Sequence, residues 1–223
     1  MAGIREEKKK RTRKTLVETA VRLFGERGFE GTSMEELARE AGVGKGTIYG
    51  YFATKHEIFL AFCEEEIDFA FRRLEEELDG DAPLIDQLVT LFMSQFDFVT
   101  SNPDFGRNLL REMIFPTERT SEKSRHIDSL YLSRIGAILA RSQAKGELHP
   151  EADPLMTTGH FYALYLMTLS TWYGGLLLDR VEAEAVLRSF FVQALNGLGA
   201  ATVVLPEDGH LATIRERYLR ELP

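Results

Sequence analysis

Cysteine occurs once in these 223 residues, at Cys63. A chain with a single thiol closes no internal disulfide, so its fold must rest on packing, and a reducing cytoplasm suits it. Tryptophan also occurs once, at Trp172, and proline only seven times. No stretch keeps the apolar–polar alternation of a strand except the four residues "TVVL" at 202–205. There is no internal repeat, and no low-complexity tract beyond a basic start. The N-terminus has no apolar run ahead of a cleavage site, which argues against a secretory signal. Net charge is −8, which counts against a nucleic-acid partner for the chain taken whole.

Divided, the charge tells a different story. Residues 1–55 carry 12 Lys and Arg against 8 Asp and Glu, a net +4, whereas residues 56–223 carry −12. A small basic head precedes a large acidic body. At 44% apolar residues the chain can bury a real core, and its periodicity is that of helices throughout. "TRKTLVETAVRLFGERG" spaces Leu16, Ala20, Leu23 and Phe24 as one helix face and stops near Gly28. "TSMEELAREAG" opens with a capping-box arrangement, Thr32 with Glu35 or, one register on, Ser33 with Glu36. A short third helix follows in "GVGKGTIYGYF", and a long fourth, capped by Thr54, runs to a break at Asp79-Gly80-Asp81. Further helices are expected near 83–101, 104–114, 119–145, 154–178 and 181–199, with an amphipathic tail in "LATIRERYLREL". The expected fold is all-α, with a head over 1–54, a helical body over 55–200 and a tail over 201–223.

The third helix is odd if read for stability, because Gly46 and Gly50 each cost it roughly 1 kcal/mol relative to Ala. Two short helices joined by a glycine-containing turn make a helix-turn-helix candidate, in which the second helix enters the DNA major groove. With Val43, Ile48 and Phe52 inward, Lys45, Gly46, Thr47, Tyr49 and Gly50 face outward, and the bare glycines let the backbone approach a duplex closely. Tyr49 and Tyr51 offer hydroxyls to phosphates, and Thr47 reaches a phosphate or a thymine methyl. Thr32 and Ser33 at a helix N-terminus, and Lys55 at the start of the fourth helix, flank the same surface. The run "REEKKKRTRK", read as a basic arm just before the first helix, adds phosphate affinity. "GVGKGT" is not a phosphate loop, since Gly46 follows Lys45 where Ser or Thr is needed and Arg39 stands at the first glycine.

"TLVETAVRLFGERGFEGTSMEELAREAGVGKGTIYGYFATKHEIF" resembles the N-terminal domain of the tetracycline-repressor (TetR) family of bacterial transcriptional regulators. A-x-x-L-F-x-x-x-G-[FY]-x-x-T-[ST], A-x-x-A-G-V, K-G-[TS]-[IL]-Y-x-[YH]-F and K-x-x-[IL] all stand in register. The resemblance implies a homodimer of all-helical subunits, each with a DNA head and a ligand-binding body. It carries DNA contacts onto Thr32, Ser33, Lys45, Gly46, Thr47, Tyr49, Tyr51 and Lys55. Two positions depart from the commonest pattern: Gly44 replaces a frequent Ser, and Gly50 replaces a residue that is often larger and polar.

The body has no diagnostic motif. Ligand pockets are apolar with a few orienting polar groups, and the family layout directs attention to Phe92, Gln95, Phe96, Met113, Tyr131, Tyr162 and Tyr165. An apolar or amphipathic effector is expected. Residues 155–178 lack Asp, Glu, Lys and Arg for 24 positions, but three Gly, a His and several Ser and Thr make a poor membrane span. A helix packed between its own body and a twin subunit fits better, and Phe161, Leu164, Thr168, Trp172, Phe190, Phe191, Ala194 and Leu198 are the expected dimer residues. No metal site, cofactor, catalytic constellation or membrane partner is expected. His126, His149 and His160 lie on separate segments, with His160 read as a core residue. The reading is a cytoplasmic one-component repressor whose partners are a near-palindromic double-stranded DNA operator and a small effector. The alternatives are a helical small-molecule-binding protein or enzyme whose head no longer binds DNA, and a sensor that mainly binds another protein.

Overall fold

The computed structural model describes residues 2–115, 122–198 and 213, without the side chains of a few further positions. Nine helices and no strand occur among them: α1 (Ala2–Arg27), α2 (Met34–Glu40), α3 (Lys45–Tyr51), α4 (Lys55–Glu77), α5 (Leu84–Thr100), α6 (Pro103–Ile114), α7 (Glu122–Ala144), α8 (Pro154–Tyr173) and α9 (Arg180–Leu198). The expected "TVVL" segment and the tail helix lie outside the described residues.

The helix boundaries differ from the sequence reading at two informative places. The basic run is not an arm ahead of α1 but its first turns. Lys, Arg and Glu are good helix formers, and neither Gly nor Pro interrupts positions 4–24. Arg13 is moreover spent on α4 and α3, reaching Glu64 and Glu65 at 3.3 Å and lying 5.6 Å from the ring centroid of Phe52, the α3 C-cap. Helix α8 ends at Tyr173 instead of running to 178. Gly175 adopts φ 77°, and its N–H and that of Leu176 close back onto the Trp172 and Thr171 carbonyls at 3.0 and 3.2 Å. That is a Schellman stop, and only glycine enters its left-handed position without strain.

The chain divides into two compact units. The first holds residues 1–68 and 97–128; the second holds 69–96 and 129–223. Residues 55–68 of α4 thus belong to the first unit and 69–77 to the second. In the first unit α1 packs on α6 and α2, and α2 on α3. Its core is built from Leu16, Leu23, Phe24, Leu37, Ile48, Ile58 and Phe105, each essentially without exposed surface. Phe24 contacts Phe29 and Phe105 with centroids 5.0 and 6.4 Å apart, and burying each such ring contributes about 1.5–3 kcal/mol. In the second unit α8 packs on α9 around Phe92, Phe161, Tyr165, Leu169, Leu187 and Phe191.

Candidate nucleic-acid interface and ligand-binding core

The turn between α2 and α3 is set by Gly42. At φ 68° it closes a second Schellman stop, Gly42 N–H to the Arg39 carbonyl at 3.1 Å and Val43 N–H to the Ala38 carbonyl at 2.9 Å. At the other end of α2 the cap uses Ser33 and Glu36. The Glu36 N–H donates to Ser33 Oγ at 3.3 Å, and the Ser33 N–H donates to Glu36 Oε2 at 3.1 Å. The Thr32–Glu35 register is not used. Thr32 is instead buried, its hydroxyl donating to the Gly28 and Leu23 carbonyls at 3.0 and 3.3 Å. It fixes the turn from inside the head, and its side chain offers nothing to a ligand.

Helix α3 is anchored by Ile48 and by its C-cap Phe52, both buried. Its N-cap Gly44 makes no side-chain hydrogen bond, as the missing hydroxyl requires. Ser33, Lys45, Gly46, Thr47, Tyr49 and Gly50 are exposed, and Tyr51 is half-buried. A methyl built on Gly46 or Gly50 would meet no atom within 4 Å, so the fold does not demand glycine at either position.

Lys55 is differently placed. Its Nζ donates to the Phe29 carbonyl at 2.8 Å, pairs with Glu30 at 3.2 Å and lies 4.5 Å from the Phe29 ring centroid. With 21% of its side chain exposed, it clamps the loop after α1 to the start of α4.

Sequence reasoning missed Glu35, taken there only as a cap partner. With the cap assigned to Ser33 and Glu36, Glu35 is free to face α3. Its Oε1 lies 2.6 Å from Lys45 Nζ, and that ammonium sits 6.0 Å from the Tyr49 ring centroid. The hydrogen bond from Lys45 holds the Glu35 carboxyl below its ordinary range, and Glu35 in turn raises the Lys45 ammonium. Nothing in a one-dimensional pattern pairs residues ten positions apart on two helices. The signal was the second capping register itself, which leaves one of the two glutamates unassigned.

In the second unit six of the seven ligand candidates have described side chains; that of Met113 does not. Phe92, Gln95, Phe96 and Tyr165 are buried, while Tyr131 and Tyr162 are half-buried. Tyr131 Oη donates to Gln95 Oε1 at 3.2 Å. Ring contacts run from Tyr131 to Tyr162 (5.7 Å), Tyr162 to Tyr165 (6.1 Å) and Tyr165 to Phe92 (5.2 Å), and Phe96 meets Trp172 at 5.1 Å. These side chains are therefore neighbours, packed ring to ring. A cavity of about 320 Å³ lies elsewhere in the unit, lined by residues including Phe71, Leu74, Gln87, Arg134, Ile138 and Arg141, and none of the six described candidates borders it.

The dimer candidates sort by burial. Phe161, Thr168 and Phe191 have no exposed surface and Ala194 little, so within one subunit they are core; Phe161 and Phe191 pack 5.0 Å apart. Leu164, Trp172 and Phe190 are half-buried, and the Leu198 side chain lies outside the described residues. A different stripe of α8 is open: Met156, His160, Ala163, Met167 and Ser170 are all exposed, and none carries a fixed charge. His160 is thus a surface residue, not a core one. One more group escaped the sequence reading. Glu66 on α4 is buried, which pushes its carboxyl up to about 8 and leaves it protonated at neutral pH. Among the described residues no helix is long and apolar enough to cross a membrane, and no three His, Cys, Asp or Glu gather as a metal site would need.

Comparison with known proteins agrees with this geometry. Residues 16–62 match the model of "Bacterial regulatory proteins, tetR family". The chain is 34% identical over 201 residues to the uncharacterized HTH-type transcriptional regulator YerO of Bacillus subtilis, covering 86% of this chain and 64% of that protein. The chain thus spans under two thirds of YerO's length. It is 30% identical over 160 residues to an uncharacterized HTH-type transcriptional regulator of Haemophilus influenzae, covering 66% of this chain and 77% of that protein. Among solved structures, the transcriptional regulator FadR from Bacillus subtilis, in complex with stearoyl-CoA, superposes with a TM-score of 0.63. At 22% identity, over 79% of this chain and 96% of that one, the likeness is one of fold.

Proposed function

Because the chain belongs to the tetR family of bacterial regulatory proteins, we propose that it is a cytoplasmic one-component transcriptional repressor. Two copies hold a near-palindromic operator and leave it when a small amphipathic effector binds the second unit. The observation that carries the reading is the outer surface of α3: two glycines that the fold does not require, beside an exposed lysine, threonine and tyrosine, with the apolar side buried. Such a face costs helix stability and gains nothing inside one subunit; against base-pair edges it gains close approach. Ser33, Lys45, Gly46, Thr47, Tyr49, Gly50 and Tyr51 make the DNA contacts. Thr32 and Lys55 hold the loops that present them.

The partner of a copy is a second copy, since operator half-sites roughly 34–36 Å apart require two heads. The uncharged exposed stripe of α8 supports self-association there, with Leu164, Trp172 and Phe190 at its margin. The effector is proposed to carry an acyl chain. The aromatic neighbourhood of Phe92, Phe96, Tyr162 and Tyr165, with Gln95 and Tyr131 as its polar pair, supports an apolar guest, and stearoyl-CoA bound by the FadR relative makes acyl thioesters the compounds to try first. Binding shifts the population towards subunits whose heads no longer match the operator spacing. Helix α4, with residues in both units, is the covalent route for that shift.

Enrichment of genomic fragments on the immobilised protein, followed by footprinting, tests the reading. Two-fold-related protected half-sites and a solution mass of twice 25.3 kDa are expected. No enriched fragment, or a monomer at saturating DNA, overturns it. Addition of an acyl-CoA series of graded chain length should release the bound duplex; indifference to every member rejects the effector class. A helical enzyme is disfavoured, because the relatives are described as transcriptional regulators.

A further inference from the structure

Lys45 is the only Lys or Arg between Gly42 and Phe52, and so the only fixed positive charge that α3 can offer a phosphate. It does not stand free. Glu35 Oε1, from α2, lies 2.6 Å from its Nζ, and the ammonium sits 6.0 Å from the Tyr49 ring centroid. The carboxylate thus holds the lysine and, through it, the ammonium–ring approach to Tyr49 at i and i+4 on the exposed face of the helix. The other carboxylates of α2 are engaged elsewhere: Glu36 with Ser33 and Arg27, and Glu40 with Arg22 and Arg39. Glu35 is therefore the acid aimed at the recognition surface. Both partners are open to solvent, with 53% and 67% of their side chains exposed, so a passing phosphate can compete for the lysine.

A negative charge on a DNA-facing surface is expensive unless it serves discrimination. On an arbitrary duplex, Lys45 gains a phosphate only by leaving Glu35, which then faces the phosphate backbone unpaired. On the cognate duplex, Glu35 keeps Lys45 and Tyr49 in one arrangement, already in register with their partners. Resting on the DNA-binding reading above, we propose that Glu35 is a positioning and specificity-determining residue, which restrains Lys45 and Tyr49 and suppresses binding to non-cognate DNA.

Glu35→Gln tests this, because it keeps shape and hydrogen bonding but removes the charge from an exposed site. Two probes are needed: a duplex selected from a randomised pool by the wild-type protein, and a heterogeneous-sequence duplex of equal length. Freeing one lysine adds one neutralised phosphate, so the slope of log K against log salt on the heterogeneous duplex should steepen by about 0.9, and affinity at 0.1 M salt should rise about eightfold. The selected duplex should gain less, so the ratio of the two affinities falls. In a Lys45→Ala background the same Glu35→Gln change should leave the slope where it was. An unchanged slope, an equal gain on both duplexes, or a gain that persists without Lys45 overturns the proposal. Wild-type protein that binds neither duplex refutes the DNA-binding reading instead, a result distinct from all of these.

Discussion

Replacing Gly46 and Gly50 together with alanine should make the protein more stable and a poorer DNA binder. Both glycines lie inside α3, neither has a positive φ, and a methyl at either site meets no atom within 4 Å. The stability change is therefore the helix propensity alone, about 0.5–1 kcal/mol for each glycine, at the low end near the helix termini. For a domain of this size each kcal/mol moves the melting temperature by roughly 2–4 °C. Calorimetry of wild type and double variant at equal protein concentration, since dimerisation makes the midpoint concentration-dependent, should show that rise. Fluorescence anisotropy on a selected duplex should show the opposite. Methyls hold the helix back from the groove, and Gly50→Leu holds it back further. Displacing one backbone–phosphate contact costs about 1.5 kcal/mol, roughly tenfold in Kd. A stabilised variant with unchanged affinity would mean that the bare face does not lie against DNA. A destabilised variant would mean that the glycines serve the fold, and the reasoning about α3 would fail at its first step.

Lys55→Ala should destabilise the first unit by about 1.5 kcal/mol, through the lost charged hydrogen bond to the Phe29 carbonyl. Urea unfolding checks the cost, and DNA affinity measured well below the transition should hardly change, whereas a direct phosphate contact would show as a weaker complex with no loss of stability. Glu66 sets a pH dependence. Its folded pKa of about 8 lies above the ordinary carboxyl value of 4.5, so the folded state binds the extra proton between those values. Stability should be fullest below about pH 4.5 as far as this group is concerned, and fall as pH rises towards 8. Glu66→Gln should flatten that decline in the urea midpoint; a variant as pH-sensitive as wild type would clear Glu66 of the effect. Met167→Glu places a charge in the exposed stripe of α8 and should yield monomers by light scattering that no longer hold a two-half-site duplex. A dimer of unchanged affinity moves the interface elsewhere.

How much of this was legible in the sequence depends on how far apart the interacting residues stand. The burial of Ile48 and Phe52 and the stop at Gly42 follow from periodicity and from what glycine alone can do, and both are local. The long α1 was missed because a dense basic run reads as a solvated arm; helix continuity through it depends on propensity and on Arg13 finding Glu64 and Glu65 about fifty residues away. The three leucines after Gly175 extended the expected α8 because an apolar run carries no mark of a left-handed glycine within it. Side-chain assignments were less legible still. Thr32 and Lys55 bear groups that suit a phosphate, and both are spent on carbonyls of their own head. Phe161 and Phe191 have the composition of an interface and fill one subunit's core, while Met156 and Met167 on the open face carry no such signal. Residue type says what chemistry a side chain can perform. Which partner claims it first is settled by tertiary distance, and at Glu35 that claim falls on the lysine that the recognition helix would otherwise give to any phosphate it met.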